Sequence, residues 1–325
     1  MDTYNGFRSE LFLKEEKERK NISYISKITG FCIIAYVALQ NLLSLPFMFG
    51  TLNRIYNESE IFQLAFSMML SVTSILIPFV IGGKKIKKAT RLQVQEFHNP
   101  VSIPLMLSAT ALGFFVCLAG NYISGIFLTF AEKIGFHLTA PDFAVPSGFF
   151  GRLVYIVAIA VAPALIEEFA FRGTVLQPLR RYGDLFAIIA SAALFAVLHG
   201  NLVQAPFAFI AGLGIGYAVC ITNSLWTGIL IHFCNNLYSV ITAFMIEDIA
   251  DEALLNSIYM ISTGALYAIS ILGSIIFVLL KEKRKLTPSF TVSGGLQKAT
   301  AFITIPAVIA FIIMLYITKG YVSFK

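Results

Sequence analysis

The chain has 325 residues, of which 57% are hydrophobic and only 13% are charged, and its formal net charge is +6. No soluble globular domain needs this much apolar surface, and the mean hydropathy is +0.79. Apolar runs of about 20 residues recur along the sequence, and each is long enough to cross roughly 30 Å of hydrocarbon. The sequence therefore predicts an all-α, polytopic helical membrane protein with about eight or nine transmembrane helices.

Residues 1–28 are polar and carry charges of both signs, so we interpret them as a cytoplasmic segment that is not cleaved as a signal peptide. Apolar segments follow at 29–50, 60–82, 102–130, 150–177, 184–199, 202–221, 225–246, 257–280 and 299–318. Basic runs at 82–91 and 281–285 mark cytoplasmic loops, because Lys and Arg accumulate on that side of a membrane. This count of spans places the N-terminus inside and the C-terminus outside.

Three regions are predicted after the polar segment: accessory helices at 29–147, a core at 148–246 and C-terminal helices at 247–325. The clustering of basic residues in loops explains the net charge, and no nucleic-acid partner is predicted. The cysteines lie in apolar segments without C-x-x-C spacing, so they predict neither a disulfide framework nor a thiolate metal site. They are Cys32, Cys117, Cys220 and Cys234.

The fourth apolar segment contains three ionisable residues within six positions, Glu167, Glu168 and Arg172. A charged side chain at membrane depth costs about 3 kcal/mol on insertion scales and usually faces a cavity or a partner. Glu168 and Arg172 share a helix face at i,i+4 and can pair, whereas Glu167 points roughly 100° away and is left free for chemistry. Pro163 is expected to kink the helix just before these acids.

The next polar groups lie in the fifth and seventh segments. Phe195 and His199 are one helical turn apart, so the phenyl ring can wall one side of the imidazole. His232 and Asn236 are also at i,i+4, with Asn235 beside them. His199 is predicted near the outer side and Glu167 near the inner side, so the two meet only if the fourth helix starts deeper or the fifth breaks at Gly200 within the membrane.

A carboxylate and an imidazole that converge on one water form a general-base unit, here Glu167 with His199. A second imidazole and an amide, His232 and Asn236, could donate hydrogen bonds to an oxyanion. Each such donor is typically worth about 3 kcal/mol in the transition state. Together these groups indicate water attack on an amide carbonyl inside a membrane cavity. The same pattern also fits zinc held by Glu167, His199 and His232, although no H-E-x-x-H motif is present.

Readings without catalysis compete with this one. A lone His in an apolar helix is usually a hydrogen-bonded packing residue, and an Asn is often a contact between helices. Glu168 with Arg172 is better explained as a structural pair than as a catalytic one. At the level of the whole protein, the alternatives are a non-catalytic immunity or scaffold protein of the same fold and a transporter whose buried Glu and His relay protons.

The residues resemble the CPBP family, which comprises type 2 CAAX prenyl endopeptidases and bacteriocin-processing or abortive-infection proteins. The motifs that carry the resemblance are Glu167-Glu168-x-x-x-Arg172, Phe195-x-x-x-His199 and His232-x-x-x-Asn236, in that order. Phe171-Arg172-Gly173 and the two consecutive asparagines after His232 fit the bacterial form of the pattern, so a prokaryotic plasma membrane is the expected location. The resemblance covers about 150–240 and leaves the rest of the chain untouched.

The resemblance implies a helical intramembrane endopeptidase that acts on a peptide or protein substrate at the membrane, which can be lipidated. It implies that Glu167 and His199 activate water and that His232 and Asn236 form the oxyanion site. Phe195 and Asn235 would support the site, and Glu168 and Arg172 would hold its shape. The preferred mechanism needs no cofactor, with zinc as the alternative, since the family was long labelled a metalloprotease.

Overall fold

The computed structural model describes residues 2–100, 102–282, 284–288 and 291–324. Its helices are α1 (Asp2–Ser44), α2 (Gly50–Glu58), α3 (Glu60–Thr90), α4 (Ile103–Lys133), α5 (Gly148–Tyr182), α6 (Asp184–Leu198), α7 (Ala205–Thr222), α8 (Leu225–Asp248), α9 (Glu252–Leu280), α10 (Gly295–Phe302) and α11 (Ile305–Lys319). Two short strands, β1 (Phe136–Leu138) and β2 (Val322–Phe324), pair antiparallel. The predicted all-α membrane fold is confirmed.

Within the described residues, seven helices are long and apolar enough to cross a membrane. The count is eight if α10 and α11, which meet at an angle of 69°, form one broken span. The predicted fifth segment, 184–199, coincides with α6, but the 15 residues of this helix are fewer than the roughly 20 that a crossing needs, so it is not counted as a span. α1 continues without a break from the polar residues into the apolar ones of the first predicted span.

Side-chain hydrogen bonds join α5 to neighbouring helices at both of its ends. At one end, which we call the basic end, lie the exposed lysines that close α3 and the arginines that close α5. There Arg180 Nη1 donates to Asn223 Oδ1 at 2.8 Å, which joins the end of α5 to the end of α7. At the opposite end, Arg152 Nη1 donates to Asp248 Oδ2 at 2.7 Å and joins the start of α5 to the end of α8.

The C-terminal part of the chain is fastened to the basic end. Asp184 is buried and accepts the Thr287 N–H at 2.8 Å through Oδ2, while its own N–H donates to the Thr287 carbonyl at 3.1 Å. The buried Lys298 ammonium donates to the Tyr182 carbonyl at 2.8 Å. Glu18 of α1 accepts the N–H of Ser293 at 3.1 Å. The loop after α9 and the start of α10 therefore pack on the junction between α5 and α6.

A stripe of small residues on α7, Ala208, Gly212 and Gly216, packs closely against α6. A Cβ added at Gly212 would lie 2.9 Å from Ala192 Cβ, and one added at Gly216 would lie 3.2 Å from Ile188 Cγ2. Ala208 of the same stripe is fully buried. Small residues let two helix backbones approach, which holds the Phe195-bearing helix in place.

The motif helix α5 is not uniformly α-helical. Val157–Val161 and Phe169–Leu176 form π-helical stretches, and the α-helical stretch Ala162–Glu168 separates them. Pro163 is the second residue of that stretch. It has no N–H to give to the carbonyl of Ile159, four residues earlier. The predicted distortion at Pro163 thus takes the form of a π-helical stretch, a feature often found at functional sites.

Candidate active site

The Glu168–Arg172 pair is the buried centre of the site. Arg172 Nη1 donates to Glu168 Oε1 at 2.9 Å, and both side chains are 0% exposed, which confirms the predicted pair. Arg172 also donates through Nη2 to the Gly212 carbonyl at 3.3 Å. Its guanidinium lies 4.7 Å from the centre of the Phe195 ring, a distance that permits a cation–π contact. The pair therefore joins α5 to both α6 and α7.

His232 enters this centre from α8. Its Nδ1 lies 3.0 Å from Glu168 Oε1, and because a carboxylate only accepts, Nδ1–H is the donor. A carboxylate on one ring nitrogen fixes the tautomer and the orientation of an imidazole. His232 is buried and its Nε2 faces the second acid, Glu167, whose Oε2 lies 3.9 Å away. Glu168 thus orients the ring that stands beside Glu167.

Glu167 differs from Glu168 in surroundings, as the helical geometry predicts. Its side chain keeps 16% of its surface exposed, whereas the side chain of Glu168 keeps none. Its one ion-pair contact among the described residues is the 3.9 Å approach to His232 Nε2, which is too long for a hydrogen bond. A water molecule or a substrate group can therefore reach Glu167 while the charges behind it remain paired.

Phe195 connects the two imidazoles. Its ring lies edge-on to His199 at 4.9 Å and edge-on to His232 at 5.8 Å between ring centres. The prediction that Phe195 walls His199 is confirmed. His199 Nδ1 lies 2.9 Å from the Phe195 carbonyl, which leaves Nε2 as its outward nitrogen. α6 ends at Leu198, and Gly200 has a φ of +62°, so the helix stops beside the site, as the break predicted at Gly200 would require.

Asn236 has a structural contact that the sequence did not indicate. Its Nδ2 donates to the Ile159 carbonyl at 3.0 Å, the carbonyl to which Pro163 cannot donate. Asn235 Nδ2 donates to Asn236 Oδ1 at 3.2 Å. Asn121 Nδ2 of α4 reaches Asn235 Oδ1 at 3.5 Å. This row of amides ties α8 to the π-helical stretch of α5 and to α4.

Gly228 of α8 provides space for the Glu168 carboxylate. A Cβ at this position would lie 2.7 Å from Glu168 Oε2 and 2.9 Å from Val219 Cγ2, closer than real Cβ contacts. Glu168 Oε2 is buried and has no hydrogen-bond partner within the described chain. The carboxylate therefore fits only because residue 228 has no side chain.

Gly228→Ala is expected to lower the free energy of unfolding by about 1–3 kcal/mol, the usual cost of overpacking. Thermal unfolding in detergent measures the change. Gly264→Ala in α9 is the matched control, since a Cβ there meets nothing within 4 Å. Alanine should stabilise that exposed helix by about 0.5–1 kcal/mol relative to glycine. Equal melting temperatures for the two variants would contradict a steric role for Gly228.

Zinc bound by Glu167, His199 and His232 stays a prediction. Within the described ranges, no group of three His, Cys, Asp or Glu side chains is placed to hold a metal ion. The two acids face opposite nitrogens of the His232 ring, so they cannot share one ion with it.

Residues 149–238 match the family model described as type II CAAX prenyl endopeptidase Rce1-like. The matched segment extends from α5 to the middle of α8 and includes every residue of the three motifs. It is an Rce1-like domain within the CPBP family, and the recognition made from the motifs is confirmed. No curated protein and no solved structure matches the chain significantly. The helices on either side of the matched segment are not assigned by these comparisons.

Sequence reasoning missed residues that touch the site. Asn121 lies outside the matched segment, and its only signal is an amide in an apolar helix. Gly228 gives no signal beyond its place four residues before His232. The contact of Glu168 with His232 joins positions 64 apart, so helical spacing does not reveal it.

Proposed function

We propose that this protein is an intramembrane endopeptidase in which Glu167 acts as the general base. The observation that carries the proposal is the contrast between two adjacent acids. Glu168 is completely buried and bonded to Arg172 and His232, whereas Glu167 stays partly exposed and has one ion-pair contact among the described residues, the 3.9 Å approach to His232 Nε2. A free carboxylate beside a neutralised charge cluster has the geometry of a group that takes a proton from water.

The proposed reaction begins with a water molecule bound by Glu167 and His199. Glu167 takes a proton as the water oxygen attacks the peptide carbonyl, and His199 Nε2, the outward nitrogen of that ring, shares the water. The Phe195 ring restrains the His199 imidazole, so that little rotational freedom is lost in the transition state. The proton on Glu167 then passes to the leaving amine, which restores the carboxylate.

The negative oxygen of the intermediate needs hydrogen-bond donors. We assign this role to Asn236 and to His232 as an imidazolium, which donates Nδ1–H to Glu168 and Nε2–H to the oxyanion; the family resemblance implies the same two residues. Glu168 orients His232, and one amide N–H of Asn236 is used by the Ile159 carbonyl, which leaves the second for the oxyanion. Removal of one such donor typically lowers the rate by about 10²–10³-fold. Arg172 neutralises Glu168, so its negative charge does not oppose the developing oxyanion.

The proposed substrate is a peptide or protein segment at the membrane surface, with or without a lipid. The excess of Lys and Arg at the basic end is typical of a cytoplasmic face, so we propose that the N-terminus lies in the cytoplasm. Purified full-length protein is tested for cleavage of lipidated and unlipidated peptide libraries, with Glu167→Gln as the inactive variant. Cleavage that survives in Glu167→Gln would overturn the proposal, and absence of any cleavage by wild type would favour a scaffold protein.

We expect a chelator of divalent metals to leave cleavage unchanged, because the proposed base is a carboxylate that needs no ion. Cleavage rates before and after chelation, with metal analysis of the same preparation, measure this. A chelator-sensitive rate that zinc restores would contradict the glutamate mechanism while leaving the endopeptidase assignment intact.

A further inference from the structure

A cavity of about 400 Å³ lies at the basic end, outside the candidate active site. It is bordered by the segment after α3, the last turns of α5, the junction of α7 with α8, and Thr287. Its size falls within the range of roughly 300–1,000 Å³ found for ligand pockets. Leu225 lines it and precedes His232 by two helical turns, or about 10 Å along α8. The cavity is therefore a separate feature.

Positive charge dominates the lining. Arg91, Arg180 and Arg181 border the cavity, and Asp184 is the only acid among the lining residues. That acid is already in use, because Oδ1 accepts Arg180 Nε at 2.9 Å and Oδ2 accepts the Thr287 N–H at 2.8 Å. The lining therefore keeps an excess of positive charge that Asp184 does not cancel.

The three arginines differ in whether their side chains are held by other residues of the protein. Arg180 is fixed by Asp184, by Asn223 Oδ1 at 2.8 Å and by the Cys220 carbonyl at 3.2 Å. Arg91 and Arg181 are exposed, and neither guanidinium group forms a hydrogen bond or ion pair with any residue that the structure describes. Two guanidinium groups with unused donors therefore stand at one cavity. A planar guanidinium group can donate two parallel hydrogen bonds to two oxygens of one phosphate.

Aromatic residues place this cavity at the level of lipid headgroups. Trp226, the single tryptophan of the chain, is 43% exposed, and its ring lies 5.4 Å from that of Phe97. Trp226 directly follows Leu225 in the sequence, and Phe97 directly precedes His98. Leu225 and His98 both line the cavity. Trp and other aromatic side chains concentrate at the boundary between hydrocarbon and headgroups. A phosphate in the cavity would therefore lie at the depth of the phospholipid phosphates.

We propose that the cavity binds the phosphate group of an anionic phospholipid, with Arg91 and Arg181 as its ligands. Basic pockets between transmembrane helices commonly hold such headgroups. The exposed Lys84 and Lys88, at the end of α3 but outside the lining, attract the same lipids only through the diffuse field of the surface. The lipid binds where the ends of α3, α5 and α7 meet the starts of α6 and α8, and it stabilises their arrangement.

The test uses full-length protein in mixed micelles of phosphatidylglycerol and phosphatidylcholine, with native mass spectrometry to count retained lipids. Wild type is expected to retain phosphatidylglycerol in preference to phosphatidylcholine. Arg91→Gln/Arg181→Gln is expected to bind it about 25-fold more weakly, or about fivefold for each arginine whose hydrogen bonds to the phosphate are lost. The matched control, Lys84→Gln/Lys88→Gln, removes the same charge from the same end but no direct contact with the phosphate, and salt screens the diffuse field, so binding should change by less than about twofold.

The same experiment separates the sources of phosphate. Inorganic phosphate at millimolar concentration is added as a competitor, and displacement of the lipid by it would overturn the assignment to a phospholipid. Equal retention by wild type and Arg91→Gln/Arg181→Gln, or equal loss in the lysine control, would overturn the site itself. Thermal unfolding without lipid identifies a folding defect. Should the double variant unfold, the single variants Arg91→Gln and Arg181→Gln are each expected to show the fivefold loss.

Discussion

Glu167→Gln is expected to lower the rate of peptide cleavage by about 10²–10⁴-fold, the usual contribution of a general base. Glutamine has nearly the same shape but cannot take a proton from water. The side chain is partly exposed and its nearest described charged group is 3.9 Å away, so the change should leave the fold intact. Initial cleavage rates and thermal unfolding on the same preparations measure the two effects.

Glu132→Gln is the matched control, because it removes an exposed carboxylate from the end of α4, far from the motif residues in sequence. Its cleavage rate should equal that of wild type. Glu168→Gln gives a further contrast, since it weakens acceptors for Arg172 and His232 and should reduce stability together with activity. A Glu167→Gln protein that is as active as the Glu132→Gln control would mean that another group is the base.

Arg172→Ala is expected to lower the free energy of unfolding by about 3–5 kcal/mol, because it leaves the buried charge of Glu168 without its partner. The guanidinium is 0% exposed and also contacts the Gly212 carbonyl and the Phe195 ring, so its packing is lost as well. Removal of both charges in Glu168→Gln/Arg172→Met should cost less than Arg172→Ala alone. Thermal unfolding in one detergent compares the variants.

Arg54→Ala is the matched control for this prediction. Arg54 and Glu58 have the same chemistry and the same i,i+4 spacing, but their side chains are 72% and 65% exposed and 3.6 Å apart. An exposed pair of this kind contributes about 0.5 kcal/mol or less. Similar losses of stability in Arg54→Ala and Arg172→Ala would show that burial of the charge is not what makes the inner pair essential.

Hydropathy predicted the long helices well, because a membrane imposes a minimum apolar length on each crossing. The segment predicted at 102–130 is Ile103–Lys133 in the structure, and that predicted at 225–246 is Leu225–Asp248. Hydropathy also located α6, predicted at 184–199 and found at Asp184–Leu198, although this helix is too short to cross a membrane alone. It did not show that α1 begins among the polar residues, because polar helical residues carry no hydropathy signal.

Within the site, sequence reasoning succeeded for contacts one helical turn apart. The pair of Glu168 with Arg172 and the ring of Phe195 against His199 both follow from i,i+4 spacing. Contacts between helices need the packing of the whole bundle, and so the bond from His232 to Glu168 was not predicted. The bond from Asn236 to the Ile159 carbonyl follows from the missing N–H of Pro163 only once α5 and α8 are known to be adjacent.

Because Thr287 donates a hydrogen bond to the buried Asp184, the matched segment should not fold well without the C-terminal part of the chain. A chain shortened to 149–238 would lose the N–H that Thr287 gives to this buried carboxylate and the ammonium that Lys298 gives to the Tyr182 carbonyl. Buried acceptors without donors are costly, so the excised piece should be prone to aggregate. For the same reason, insertions or tags placed in the loop after α9 should destabilise the junction between α5 and α6, which lies roughly a hundred positions earlier in the sequence.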